Sequence, residues 1–135
     1  MNFQTVIKFI VVLLFTWCFS SCKVRHTASH AEEPRIVFFK DTVNLDTINL
    51  DSTIDISFKF HNEGIDTLKI FKVESSCNCT VVKSYSENTA LNQKGEISIK
   101  FSSKSAAKGE FIRRLAVLSN SRLQIKVLII KGIKI

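Results

Sequence analysis

Strict alternation of apolar and polar side chains is the feature that most constrains the fold of this 135-residue chain. From Ile54 to His61, every second residue is Ile or Phe, and the residues between them are Asp, Ser, Lys and His. Because successive side chains of a β-strand point to opposite faces, this period of two predicts a strand with one buried face. After position 22, no segment of ten or more residues shows the period of 3.6 that is typical of a helix.

Further segments with strand-like composition follow one another along the chain, with turn residues between them. These segments are Ile36 to Phe39, Val43 to Leu45, Leu68 to Val73, Ile97 to Phe101, Phe111 to Ser119 and Arg122 to Ile130. Short strands at a spacing of roughly 8–12 residues are typical of a β-sandwich. Apolar residues make up 45% of the chain, enough for a core. The sequence therefore predicts an all-β antiparallel sandwich over residues 34–135.

The pattern also predicts which face of one strand is buried. In the segment Leu68 to Val73, Leu68 and Ile70 are expected on one face, and Phe71 and Val73 on the other.

The last two predicted strands are expected to form a hairpin. Asn120 and Ser121 supply a tight turn between Phe111–Ser119 and Arg122–Ile130. The second of these strands is apolar on both faces, so it is expected either to be central in a sheet or to pair at its second face with another surface.

A short acidic repeat precedes the alternating strand. Asp41, Asp46 and Asp51 recur every five residues, with Val, Leu and Ile among the residues between them. Calcium loops place oxygen ligands at alternate positions, so this spacing is a poor fit to a calcium site. An edge strand guarded by charged residues is the better interpretation.

Residues 1–21 have the organisation of a signal peptide. Lys8 supplies the positive charge, and Phe9 to Phe19 is an apolar run of 11 residues, too short to span a bilayer. The run ends in Ser20-Ser21-Cys22, which resembles the bacterial lipobox, although Phe19 stands where Leu is usual. This resemblance implies cleavage before Cys22 and acylation of that cysteine (a diacylglyceryl group with palmitate-type chains). Two or more acyl chains hold a protein stably at a membrane.

Residues 22–33 are predicted to be a lipid-anchored, flexible tether. Lys23 follows the lipidated cysteine, and the lack of Asp there resembles outer-membrane sorting in bacteria with two membranes. We therefore expect a cell-envelope protein that is anchored to the outer membrane and faces the periplasm. His26 and His30 lie in the tether and are interpreted as solvated. The formal charge of +7 favours anionic surfaces only mildly, because the charges are scattered.

Once the signal peptide and the acylated cysteine are set aside, Cys77 and Cys79 are the remaining thiols. A disulfide between residues two apart requires a bend, which Asn78 tolerates. Two structural thiols in a tight crossing are a second interpretation. A soft metal such as Cu(I) is a third, although His61 is the only histidine in the domain. Catalysis is a fourth, but it usually uses two intervening residues and a helix N-terminus.

No enzyme motif is found in the sequence. It lacks a Ser-His-Asp arrangement with its supporting motifs, a frame of paired carboxylates and a phosphate-binding glycine loop. Export disfavours nucleic acid as a ligand. Tyr85 is the single tyrosine, so there is no aromatic platform on which sugars or single-stranded nucleic acid could stack.

We expect no enzyme activity, no small-molecule substrate and no cofactor except the covalent lipid. A binding or scaffold module with an envelope protein partner, joined by strand addition or by a loop end, is favoured. A thiol-dependent redox or soft-metal-handling protein is the alternative.

Several motifs in order resemble the domain of unknown function 1573 family. They are Phe58-x-Phe60-x-Asn62-x-Gly64, Leu68-x-Ile70-x-x-Val73, Ser76-Cys77-Asn78-Cys79-Thr80, Gly95-x-Ile97-x-Ile99-x-Phe101, Gly109-x-Phe111 and Val117-x-Ser119-Asn120. The family usually has Gly in place of Asn78 and Pro-Gly in place of Gln93-Lys94. The resemblance implies an immunoglobulin-like, PapD-like sandwich of the kind common in Bacteroidota lipoproteins. It implies no activity, since the family has none established.

Overall fold

The computed structural model describes residues 33–135 of the chain. The predicted signal peptide, Cys22, His26 and His30 lie outside these residues and stay predictions. Within the described residues, no helix has the length and apolar character needed to cross a membrane.

Residues 33–135 form nine strands and one short 3-10 turn. The strands are β1 (Ile36–Phe38), β2 (Thr42–Ile48), β3 (Thr53–Asn62), β4 (Leu68–Ser75), β5 (Thr80–Tyr85), β6 (Asn88–Thr89), β7 (Lys94–Ser102), β8 (Gly109–Ser119) and β9 (Ile125–Lys134), and the turn is Ser103–Ser105. The first sheet has the order β1-β3-β7-β5, and the second has the order β2-β9-β8-β4-β6. The predicted all-β sandwich is thereby confirmed.

One pair of strands in this largely antiparallel sandwich is parallel. β2 runs alongside β9 in the same direction, with Thr42 opposite Ile129 and Ile48 opposite Lys134. The path of the chain explains this pair. Residues 39–41 carry the chain from the first sheet to the second without reversing it, so β2 keeps the direction of β1 and lies parallel to β9. Strands that switch sheets at a bend are a common way to make the corner of a sandwich.

The core lies between the two sheets and follows the predicted period of two. The alternating side chains of β3 and β7 are buried, and those of β8 and β9 meet them from the other sheet. Phe101 stacks on Phe111 across this boundary, with ring centroids 5.3 Å apart. The largest apolar side chains that are completely or almost completely buried are Phe58, Phe60, Phe101, Leu68, Ile97, Ile99, Leu115, Leu128, Ile130 and Val117.

β4 departs from the prediction because it contains a bulge. Its register against β8 shifts between Ile70 and Lys72, so Phe71 is an extra residue. Leu68 and Ile70 point inward as expected, but Val73 also packs against the core, whereas Phe71 is 57% exposed. The prediction that Phe71 and Val73 share a face was therefore wrong.

The hairpin of β8 and β9 is confirmed, but its connection is longer than the predicted tight turn. Leu118 pairs with Ile125, which leaves residues 120–124 in the loop. Asn120 accepts a hydrogen bond from the Lys69 backbone N–H at 2.7 Å, and Ser121 accepts one from the Ile36 backbone N–H at 3.2 Å. Because these two side chains bond to the backbones of β4 and β1, the loop keeps a longer conformation than a two-residue turn.

The acidic repeat belongs to an edge strand, as predicted. β2 lies at the edge of the second sheet, and its register shifts between Asn44 and Thr47. Asp46 and Asp51 have positive φ values of 50° and 60°. Asp adopts this left-handed conformation more readily than most residues, so the repeat marks a bulge and a turn.

The sandwich has two distinct ends. At the tether end, residues 33–35 enter and cross Gly64, where a Cβ atom would lie 2.2 Å from the Glu33 carbonyl oxygen. At the opposite end, which we call the disulfide end, lie residues 76–79 and the turn after β7. β3 spans the distance between them with ten residues, or about 30 Å at roughly 3.3 Å per residue.

Candidate functional site

Cys77 and Cys79 lie where the chain passes from the second sheet to the first. Ser76 still pairs with β8, since its backbone N–H donates to the Arg114 carbonyl at 2.9 Å. Three residues later the chain pairs with β7, since the Ser102 N–H donates to the Cys79 carbonyl at 2.8 Å. A disulfide joins Cys77 to Cys79 across this crossover, with the two Cα atoms 5.3 Å apart.

A short turn supplies the bend that such a disulfide requires. The Thr80 backbone N–H donates to the Cys77 carbonyl at 3.4 Å. The Ser75 hydroxyl donates to the same carbonyl at 2.9 Å and accepts from the Cys77 N–H at 3.3 Å. Asn78 is not one of the described residues with positive φ, so the turn does not use a left-handed residue at the family's usual Gly position.

The two sulfurs differ in their exposure to solvent. Cys79 is 4% exposed, whereas Cys77 is half-buried at the surface of the turn. The hydroxyl of Thr80, a buried residue, lies 3.7 Å from the Cys77 sulfur and 3.8 Å from the Cys79 sulfur. Cys77 packs partly against the core but is the more accessible of the two cysteines.

An arginine from the opposite sheet contacts the buried sulfur. The Arg113 Nε–H donates to the Cys79 sulfur at 3.2 Å, and its Nη1 donates to the Ile112 carbonyl at 3.0 Å. The guanidinium lies 5.8 Å from the centre of the Phe111 ring. Among residues 33–135, Arg113 takes part in none of the four ion pairs that the structure contains.

Arg113 is the site residue that the sequence reasoning missed. It lies on β8 at the same parity as Phe111, Leu115 and Val117, whose side chains all face the core. A charged residue at an inward position of a strand is a detectable signal, because charges are rarely placed there without a partner.

His61 does not belong to this site. It ends the alternating segment of β3 at the tether end, where its Nε2 lies 2.6 Å from a Glu63 carboxylate oxygen. In the described part of the chain, no three His, Cys, Asp or Glu side chains are grouped so as to hold a metal ion. Cys77 and Cys79 thus have no further metal ligand from His61.

The outer faces of the two sheets differ sharply in polarity. The outer face of the first sheet is polar, with Asp55, Ser57, Lys59, Glu96, Ser98 and Lys100. The outer face of the second sheet is largely apolar, and we call it the apolar face. Its apolar members are Phe71, Ile112, Ala116, Leu118, Ile125, Val127, Ile129 and Ile133.

Charged residues and shallow depressions interrupt the apolar face. Lys72 donates a hydrogen bond to Glu74, and this bond, assisted by the charge of the carboxylate, raises the pKa of the Lys72 ammonium. A depression of about 270 Å³ lies between Glu74, Arg114, Ala116 and Val127. A second depression of about 270 Å³ lies further along the same face, beside Ile112, Lys131 and Ile133.

Several solved structures have similar folds. A protein of unknown function from Porphyromonas gingivalis W83 matches with a TM-score of 0.67 and 9% identity, over 79% of this chain and 50% of the other. The ASH/PapD-like domain of human CEP192 matches with a TM-score of 0.62 and 12% identity, over 86% and 95%. The secreted serine protease VesC from Vibrio cholerae matches with a TM-score of 0.60 and 7% identity, over 74% and 23%. At these identities the likeness shows the fold alone, an immunoglobulin-like, PapD-like sandwich.

The present chain spans half the length of the Porphyromonas protein. No curated protein sequence matches it. The family model described as a protein of unknown function (DUF1573) matches residues 36–133, which contain all nine strands apart from the last residue of β9. The match covers most of the chain, and the chain therefore belongs to the DUF1573 family.

Proposed function

We propose that this protein is a cell-envelope lipoprotein, anchored through Cys22 to the outer membrane on its periplasmic side, that acts as a non-enzymatic binding module. The apolar face is the observation that carries the binding role. A sheet face that borders water is normally polar, as the outer face of the first sheet is. A sheet face with several large exposed apolar side chains is typical of a binding surface.

Strand addition is the less favourable mode of binding, because each edge is guarded. In the described residues, the edges are β1 and β5 in the first sheet and β2 and β6 in the second. β1 has three residues and β6 has two, and both β2 and β5 contain register shifts. Short and bulged edges resist pairing with another strand. We therefore propose the apolar face of the second sheet, rather than a sheet edge, as the binding surface.

The occupant that we propose is another envelope protein with an apolar surface. Leu118 and Ile125 form one registered pair of exposed side chains, and Ala116 and Val127 form the next. The charges on this face have both signs, with Glu74 and Glu110 as well as four cations, Lys69, Lys72, Arg114 and Lys131. A mixed rim fits a protein surface better than an anionic bilayer, which would favour cations alone.

A single charge at the centre of the apolar face tests this function. Val127→Lys places an ammonium where the partner would bury an apolar side chain, so crosslinked partners should be lost from membranes that carry the variant. Val81→Lys is the matched control, because Val81 is exposed to a similar extent on β5 of the other sheet. Equal recovery of the crosslinked proteins from both variants would overturn the proposal. Crosslinking to lipid or to a second copy alone would identify a different occupant and would also contradict it.

The alternative function is thiol-dependent redox chemistry or the handling of a soft metal by Cys77 and Cys79. One observation favours its redox form, the hydrogen bond from Arg113 to the Cys79 sulfur. The metal form has no comparable support from a third ligand. Replacement of either cysteine by Ser should change a redox phenotype while the fold survives, whereas a purely structural disulfide would give two equally unfolded variants.

A further inference from the structure

The charge of Arg113 lacks an anionic partner in the described part of the chain, although the residue occupies an inward position. Its Nε–H group is directed at the Cys79 sulfur at 3.2 Å, and this sulfur is neutral as long as the disulfide is intact. An arginine is charged at any physiological pH. Reduction of the disulfide would convert the Cys79 sulfur into a thiolate, and the guanidinium would then have an anion within hydrogen-bonding distance.

We propose that Cys77–Cys79 is a thiol-exchange site with a fixed polarity, in which Cys77 is attacked and Cys79 leaves. The thiolate of an external thiol attacks the sulfur of Cys77, the less buried of the two cysteines. A new S–S bond forms between the reagent and Cys77 as the Cys77–Cys79 bond breaks. The bonding electron pair goes to the Cys79 sulfur, which becomes a thiolate beside the Arg113 Nε–H group.

A second thiol completes the exchange. Its thiolate attacks the reagent sulfur of the mixed disulfide, and Cys77 leaves as a thiolate that takes a proton from water. Two external thiols are then joined as a disulfide, and the protein has gained two electrons and one proton, because Cys79 stays a thiolate beside Arg113. In the reverse direction, the Cys77 thiolate attacks an external disulfide and releases one thiolate, and the Cys79 thiolate then attacks Cys77 and releases the other. The Cys77–Cys79 bond forms again as the external disulfide is reduced, so the site exchanges with thiols and disulfides as classes.

The unequal surroundings of the two sulfurs determine this polarity. Attack requires access, and Cys77 is only half-buried, whereas Cys79 is almost fully buried. Departure requires stabilisation of negative charge, and it is the Cys79 sulfur that accepts a hydrogen bond from the Arg113 guanidinium. A thiol that leaves readily is one whose thiolate is stabilised by a nearby cation.

The position of the site agrees with this role and is separate from the binding function. The disulfide end lies about 30 Å from the tether end, at roughly 3.3 Å for each residue of β3. A thiol reagent can therefore approach from the side away from the proposed anchor. The exchange uses none of the apolar face residues that are altered in the crosslinking test, so either proposal can fail alone.

The unaltered protein provides the first test. Incubation with glutathione, followed by acid quenching and peptide mass spectrometry, measures how much mixed disulfide each cysteine carries. We expect the adduct at Cys77 to exceed that at Cys79 by about tenfold or more, because a hydrogen bond to a charged group contributes at least this factor. Equal labelling, or an excess at Cys79, would overturn the polarity.

Two arginine variants test the role of the guanidinium. Arg113→Gln should slow reduction by glutathione about tenfold and weaken the preference for Cys77, since the leaving thiolate loses its charged donor. Arg113→Lys should restore part of the rate. Arg114→Gln is the matched control. This substitution removes the same charge from the next residue of β8, whose side chain points outward, away from the disulfide. If all three variants react at the rate of the unaltered protein while thermal unfolding shows them folded, Arg113 has no part in the exchange.

Discussion

One buried amide joins three separate segments at the tether end. Asn62 is fully buried, and its side-chain oxygen accepts hydrogen bonds from the Arg35 N–H at 3.2 Å and the Gly64 N–H at 3.0 Å. Its amide group donates to the Asp66 carbonyl at 2.7 Å and the Thr89 carbonyl at 3.0 Å. Asn62 thus satisfies backbone groups that no strand ladder pairs, and it fixes the point where the chain enters the sandwich.

Replacement of Asn62 by Ala should therefore destabilise the fold. A buried group that loses its partner costs roughly 1–3 kcal/mol, and four groups lose one here, so the loss should reach about 3 kcal/mol after partial rescue by water. Urea unfolding followed by circular dichroism measures this change in the free energy of unfolding. Asn88→Ala on β6 serves as the control, because Asn88 is exposed and should change stability little. Equal unfolding midpoints for the two variants would contradict this account of Asn62.

The sequence pointed to most of these individual residues, but it did not reveal their structural roles. Asn62 and Gly64 were visible as parts of a family motif, but their role depends on residues 33–35 lying across them. The Cys77–Cys79 pair likewise allowed several interpretations, because the separation of the two Cα atoms is set by the crossover between sheets. Arg113 could have been found from its parity on an alternating strand.

At the scale of the strands, the local pattern predicts existence and burial but not register. β3, β7 and β8 follow the period of two, so their buried residues could be named in advance. β2, β4 and β5 each contain a shift in register, and a local pattern does not reveal where the extra residue lies. The parallel partner of β2 was equally hidden, since it depends on the crossing at residues 39–41.

The interior position of β9 makes a clear prediction about truncation. β9 pairs with β8 on one side and with β2 on the other, and it contributes the buried residues Leu128 and Ile130. Removal of residues 125–135 should abolish folding rather than expose a new edge, because both neighbours would lose their ladder. Circular dichroism and limited proteolysis would report this loss. A protein that lacks only Ile135, which is exposed, should stay folded, and a folded product of the longer truncation would contradict the topology.

At the scale of the whole molecule, three features lie on different sides of the sandwich. The chain enters at the tether end, the disulfide lies at the opposite end, and the apolar face runs along one side between them. Under the two proposals, this arrangement would let a tethered protein offer its apolar face to a partner and its disulfide end to a thiol reagent at the same time. The sequence predicted a second apolar face for β9 alone, whereas the contributions of β8 and β4 to the apolar face, and its position between the two ends, depend on the full topology.

The intact mass of the protein isolated from membranes tests the anchor and the disulfide together. We expect a chain that begins at Cys22 and carries the added mass of acyl chains, because the segment before it has the organisation of a lipoprotein signal peptide. Reductant should then add the mass of two hydrogens, as Cys77 and Cys79 are joined and Cys18 has been removed. Cys22→Ala should lose the acyl mass while the response to reductant is retained. An unmodified chain that begins at Met1 would overturn the anchor, and an unchanged mass after reduction would overturn the thiol-exchange site, because the two measurements depend on different cysteines.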